Sequence, residues 1–150
     1  MGKFYEDLKL GDRYITPART VEAADIINFA GISGDWNPLH TDGEYAKKIF
    51  GGRIAHGLLS LAIASGLSAR GGSIKDTEDT ILAFLGMNDL RFINPVRIGD
   101  TIHVEEEISN LRETKKPDRG IVTFKWLVKN QKGDAIMEAQ ANLMIRRKRK

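Results

Sequence analysis

The sequence predicts an α+β domain: one long, curved antiparallel sheet of about five strands wrapped around a single buried central helix. Three observations carry that expectation. The chain has 150 residues, 41% of them hydrophobic and none of them cysteine, enough for one core without disulfide staples. The stretch "GLLSLAIASGLSA" at 57–69 places Leu58, Leu59, Leu61, Ala62, Ile63 and Leu67 around a helix instead of along one side, the pattern of a buried helix. After Asp79, apolar and polar residues alternate with the period of strands that bury one face.

From the N-terminus, "DRYITPART" carries β-formers and leads into "TVEAADIINFAG". In that helix Val21, Ala24, Ile26, Ile27, Phe29 and Ala30 form a broad apolar stripe, Thr20 serves as N-cap, and Glu22 and Asp25 sit near the positive end. Gly31 and Gly34 break it. Asp42 starts a second short helix, "GEYAKKIF", stopped by Gly51–Gly52. Beyond the central helix, "LSARGGSIKDTEDT" reads as a polar connection. "LGMNDLRFINPVRIGD" is a strand running into a bend at Pro95. In "TIHVEEEI" Ile102, Val104 and Ile108 alternate with His103, Glu105 and Glu107, and in "IVTFKWLVKN" Val122, Phe124, Trp126 and Val128 share a face. "NQKGD" turns the chain into "AIMEAQANLMIRR", with Ala135, Met137, Ala139, Ala141, Leu143 and Ile145 on one side. Residues 1–145 read as one domain and 146–150 as a basic C-terminal tail. A sheet of this kind leaves edges exposed, which predicts a homodimer or a dimer-based higher oligomer.

Composition excludes several classes. Without cysteine there is no thiolate nucleophile and no Cys-ligated metal. Three histidines at unrelated spacings predict no metal site. The net charge of +3 is smaller than the five positives of the terminal "RRKRK", so the rest of the chain is slightly acidic, at −2. That balance points away from nucleic acid. "GGRIAHG" lacks the lysine and Ser/Thr of a nucleotide phosphate loop. No apolar run is long enough to span a bilayer and the N-terminus has no signal-peptide pattern, so a soluble cytoplasmic protein is expected, with no membrane association.

One stretch asks for a chemical explanation. "GISGDWNPLHTD", from Gly31 to Asp42, gathers Asp35, Asn37, Pro38 and His40 between two glycines and a second helix. Alone it reads as an ordinary turn. It is followed by "GRIAHGLL" and "IASGL", and later by "RFINPVRIGD". In that order, with Phe29, Ser33, Gly34, Asp35, Asn37, Pro38, Leu39 and His40, then Ile54, His56, Gly57 and Ser65, then Phe92, Pro95, Val96, Gly99 and Asp100, the chain resembles the MaoC-like hydratases. These are the R-specific, or type 2, enoyl-CoA hydratases of the hotdog superfamily. The resemblance runs from about Gly11 to Ile145.

The resemblance implies a hydro-lyase of fatty acid metabolism that converts trans-2-enoyl-CoA to (R)-3-hydroxyacyl-CoA, or the reverse, with no cofactor beyond the CoA of the substrate. It implies that Asp35 and His40 hold the catalytic water and that Gly57 supplies an oxyanion contact, with Ser65 lining the same pocket. The residue types suit that work. Adding water across an α,β-unsaturated thioester needs a positioned and deprotonated water, a proton for the α-carbon, and stabilisation of charge on the thioester oxygen. A carboxylate and an imidazole flanking one water meet the first two needs. Backbone N–H groups at a helix N-terminus meet the third, and a glycine there lets the thioester approach. Asn37 and Pro38 shape the loop, and Arg53 suits either a CoA phosphate or a helix end. His56 is expected to be a hydrogen-bonded structural residue, and His103 a solvated one. Short-chain substrates such as crotonyl-CoA are the default. Two rivals stay open: a hotdog acyl-CoA thioesterase, and a non-catalytic protein that binds acyl-CoA or a polyanion.

Overall fold

The computed structural model describes residues 1–148. Six strands and five α-helices follow a short 3-10 turn at Tyr5–Asp7. They run β1 (Arg13–Ile15), β2 (Arg19–Thr20), α1 (Ala23–Ser33), α2 (Pro38–Thr41), α3 (Gly43–Phe50), α4 (Gly57–Gly71), α5 (Ser73–Asp76), β3 (Ile81–Phe92), β4 (Thr101–Glu113), β5 (Arg119–Lys129) and β6 (Ala135–Arg146).

The strands form one antiparallel sheet in the order β1-β4-β5-β6-β3, with β2 also paired to β4. The alternation read from the sequence positions the core. Ile102, Val104 and Ile108 of β4, Val122, Phe124, Trp126 and Val128 of β5, and Met137, Ala139, Ala141, Leu143 and Ile145 of β6 are all buried. A register shift beside Val128 brings Ile136 into the core as well and leaves Ala135 only half-buried. A carboxylate the alternation did not single out, Glu106, occupies the same inward column of β4 and is buried.

The wrapped architecture expected from the sequence is overturned. The sheet is neither curled around the helix nor closed, since β1 and β3 stand at opposite ends of an open hydrogen-bonded path. The central helix is correspondingly not buried all round. Leu59, Ser60, Ile63, Ala64, Leu67 and Ser68 of α4 are buried, while Leu58 is 60% exposed and Ala62, Gly66 and Ala69 face outward. The reason is geometric: a single open sheet layer covers one side of a helix, so apolar residues on the far side stay uncovered within the chain. The result is an α+β hotdog-like fold with a half-covered helix.

Local chemistry decides the helix ends. Thr20 does not cap α1; it lies in β2, where its hydroxyl meets Thr101 Oγ1 at 2.8 Å. Glu22 is the N-cap, and its N–H donates to the Asp25 carboxylate at 2.8 Å. Asp42 caps α3 through the Tyr45 N–H at 2.9 Å, and Gly51, at φ +78°, ends it in the left-handed region. The connection after α4 contains one further helical turn, α5. Of the basic C-terminal residues, Arg146 completes β6, Arg147 pairs with Glu6 and Glu113, and Lys148 pairs with Asp7. Arg149 and Lys150, also assigned to the basic tail, lie outside the described residues. Among the described residues, no helix is long and apolar enough to cross a membrane.

Candidate active site

Three segments remote in sequence meet at the N-terminal end of α4. Gly34, at φ +77°, closes α1 by donating its N–H to Ala30 O at 2.9 Å, a conformation that favours glycine. The loop that follows is held by its own side chains. The Asp35 N–H donates to Ser33 Oγ at 3.1 Å, the Asn37 N–H to Asp35 Oδ1 at 3.1 Å, and the Leu39 N–H to Asn37 Oδ1 at 3.0 Å. With Asn37 as N-cap and Pro38 at the first helical position, the stretch becomes the one-turn helix α2.

The segment 54–56 is buried and ties this loop to the β3–β4 connection. The Ile54 N–H donates to Leu39 O at 3.2 Å, Ile54 bridges to Arg97, and the Ala55 N–H donates to Val96 O at 2.8 Å. In return, His40 Nδ1–H donates to Ile54 O at 2.7 Å, because a carbonyl oxygen can only accept. That bond leaves Nε2 as the basic nitrogen of the neutral His40 ring. The Arg53 guanidinium reaches His40 O at 3.4 Å, placing it at the carbonyl end of α2.

Asp35, His40 and His56 converge: their donor atoms all lie within 4.8 Å of one another. Asp35 is exposed, His40 half-buried and His56 only 3% exposed. The His40 and His56 rings stack, with centroids 3.8 Å apart and planes 28° apart, and Phe29 closes on His56 at 4.8 Å. His56 Nε2–H donates to Asp35 O at 2.9 Å. With His40 Nδ1 and His56 Nε2 each given to a carbonyl oxygen, each ring keeps one nitrogen near the Asp35 carboxylate, a set that could handle a proton or hold a metal ion.

Gly57 opens α4 directly after His56, putting the positive end of a 15-residue helix beside the cluster. A Cβ at Gly57 would stand 3.0 Å from the Phe92 ring. Ser65 lies on the same helix eight residues further on, roughly 12 Å along its axis, and so outside the Asp35–His40–His56 cluster. His56 is the buried, hydrogen-bonded residue at the helix entrance that the sequence leads one to expect; its stacking on His40 is what the sequence does not show.

The comparison with known families decides the assignment: the MaoC like domain matches residues 7–130. The chain belongs to the MaoC-like family. This MaoC-like chain is 34% identical over 143 residues to the (R)-specific enoyl-CoA hydratase of Rhodospirillum rubrum, with 95% of the chain and 91% of that protein covered. It is 41% identical over 118 residues to protein MaoC of Klebsiella aerogenes; the match takes in 78% of the chain but only 33% of that longer protein. Among solved structures, the MaoC-like dehydratase from Rhodospirillum rubrum superposes with a TM-score of 0.89 at 36% identity, covering 99% of this chain and 100% of the other.

Proposed function

We propose that this MaoC-like chain is a hydro-lyase that adds water to trans-2-enoyl-CoA to give (R)-3-hydroxyacyl-CoA, and removes it in reverse. The observation that carries the reading is the convergence of His40, with Nε2 free, and the Asp35 carboxylate in front of the helix that Gly57 opens. A relative matched along nearly its whole length bears the name (R)-specific enoyl-CoA hydratase, which supports the same chemistry and its stereochemistry.

In this reading Asp35 and His40 hold one water between them. The pair removes a proton from it as its oxygen bonds to the β-carbon, and returns a proton to the α-carbon. Charge that develops on the thioester oxygen is met by the Gly57 N–H and the helix dipole behind it. Asn37 acts by building α2 and so setting the orientation of His40. Arg53 stands at the edge of the same loop, within reach of a CoA phosphate, and Ser65 lines the acyl path further along α4. Short-chain enoyl-CoA is the default substrate in this reading, and the cytoplasm its default compartment.

Two copies associate as a homodimer. Support comes from β3, the terminal strand of the sheet, which exposes Leu82, Phe84, Leu85 and Phe92, and from Leu58 on the uncovered side of α4. Large apolar side chains on a 12-residue edge strand call for a partner.

The test is to follow the enoyl-thioester absorbance of crotonyl-CoA with the purified protein, with a thiol reagent in a parallel assay. The expected result is loss of absorbance without free thiol, and an R product on chiral analysis. Release of thiol would instead make the protein a thioesterase, and silence in both assays with short and long enoyl chains would leave a binding protein.

A further inference from the structure

We propose that His56 is a positioning residue of the hydration site, holding Asp35 through its Nε2–H and His40 through its ring face while taking no part in proton transfer itself. The inference rests on the hydration reading and deepens it by assigning the third member of the cluster.

Three contacts support it. First, Asp35 O accepts from His56 Nε2 at 2.9 Å while the Asp35 N–H is held by Ser33 Oγ at 3.1 Å. The backbone of an otherwise exposed residue is therefore clamped on both sides, and its carboxylate leaves from a fixed point. Second, the His56 ring lies 3.8 Å from His40 in a stacked arrangement, and the Phe29 ring packs on His56 at 4.8 Å, tilted by 56°. His40 is thus pinned at its edge by Ile54 O and across its face by His56. Third, His56 is the residue before α4, and its carbonyl accepts both the Ser60 N–H at 3.1 Å and Ser60 Oγ–H at 3.3 Å. Any shift of this residue moves Asp35, His40 and the Gly57 N–H together.

Its own chemistry keeps it out of the proton path. A carbonyl partner requires the proton on Nε2, so the ring is the Nε2–H tautomer, the opposite of His40. The remaining Nδ1 is buried with no hydrogen-bond partner among the described residues. In this tautomer the single ring proton of His56 is committed to Asp35 O, so it has none to deliver to a water held between Asp35 and His40.

The experiment divides the two holds between two variants. His56→Gln keeps an N–H donor for Asp35 O and loses the ring; His56→Phe keeps a ring against His40 and loses the donor. Each is expected to lower kcat on crotonyl-CoA by about 10²-fold, the scale of a small misplacement of catalytic groups. KM should stay within about threefold, because an interaction that orients chemistry is separable from substrate binding. Wild-type kcat in both variants, or losses confined to KM, would overturn the proposal. Nitrogen-15 NMR of the imidazoles is read alongside on the wild-type protein and does not depend on turnover. It should show His56 as the Nε2–H tautomer and His40 as Nδ1–H, with the His40 pattern losing its single tautomer in His56→Gln. An Nδ1–H His56, or a His40 pattern indifferent to the variant, overturns it. If the wild type fails to turn over any enoyl-CoA, the hydration reading falls while the NMR still decides whether His56 holds His40.

Discussion

A buried ionisable side chain stands at each end of α4, each with one polar atom that has no hydrogen-bond partner among the described residues, yet the two sites differ in what they can do. At the N-terminal end the buried His56 touches the exposed Asp35 and half-buried His40, so the cluster opens to solvent. At the C-terminal end Glu106 is equally buried, and its Oε2 accepts the Ser73 N–H at 2.6 Å, where α4 turns into α5. Its strand register places it between Tyr14 of β1 and Trp126 of β5, both of which also carry a buried polar atom with no hydrogen-bond partner among the described residues. Burial pushes the Tyr14 hydroxyl up to about 12. A buried polar group is placed to serve a reaction when the side chains beside it are wet; where the neighbouring polar atoms are themselves buried, the same kind of group holds structure.

The contrast predicts opposite phenotypes. At the open end, Asp35→Asn should lower kcat by about 10²–10⁴-fold, the range for removing a general acid or base, while its thermal midpoint matches the wild type. A matching loss of midpoint would make Asp35 a structural residue and erase the distinction. At the closed end, Glu106→Ala should cost about 3 kcal/mol in urea unfolding, because the buried Ser73 N–H loses its acceptor and a cavity opens. Its kcat should hold, and Glu106→Gln should recover much of the stability, since the amide oxygen can still take the Ser73 N–H. An activity loss in Glu106→Gln without a stability loss would move that row into the active site.

The smallest effect sharpens the comparison one residue away. Glu105 points to the outer face of β4, where the Lys129 ammonium, at 2.9 Å, holds its carboxyl below the usual range. A depressed folded pKa contributes stability above the unfolded value of about 4.3, and that contribution disappears as the pH falls through the folded value. Urea midpoints measured from pH 7 down to pH 3 should therefore drop slightly further for the wild type than for Lys129→Met. Parallel acid limbs would show that the exposed pair contributes nothing.

The motif "GDWNPLH" was legible because its contacts are local: Asx bonds from Asp35 and Asn37, and a proline at the start of α2, follow from residue types a few positions apart. The strand faces were legible for the same reason, because a period of two needs only neighbours. For His56 the sequence supports a hydrogen-bonded place at the helix entrance, but spacing says nothing of a ring stacked across 16 residues on His40. The same period of two turns Glu106 inward with Ile102, Val104 and Ile108, but alternation alone names no donor for a buried carboxylate, and the Ser73 N–H that fills that role comes from a remote segment.

By itself, then, the sequence determined the strands, the loop chemistry and the family, all of which rest on short-range pattern. Whether the sheet closed was beyond it. The apolar residues around α4 demand cover on every side, but how much cover arrives depends on strand order, and this open path from β1 to β3 supplies one face only. Tertiary structure also decided that three separate segments converge on one helix terminus, since hydrogen bonds from Ile54 and Ala55 to Leu39 and Val96 join parts of the chain that no local rule connects.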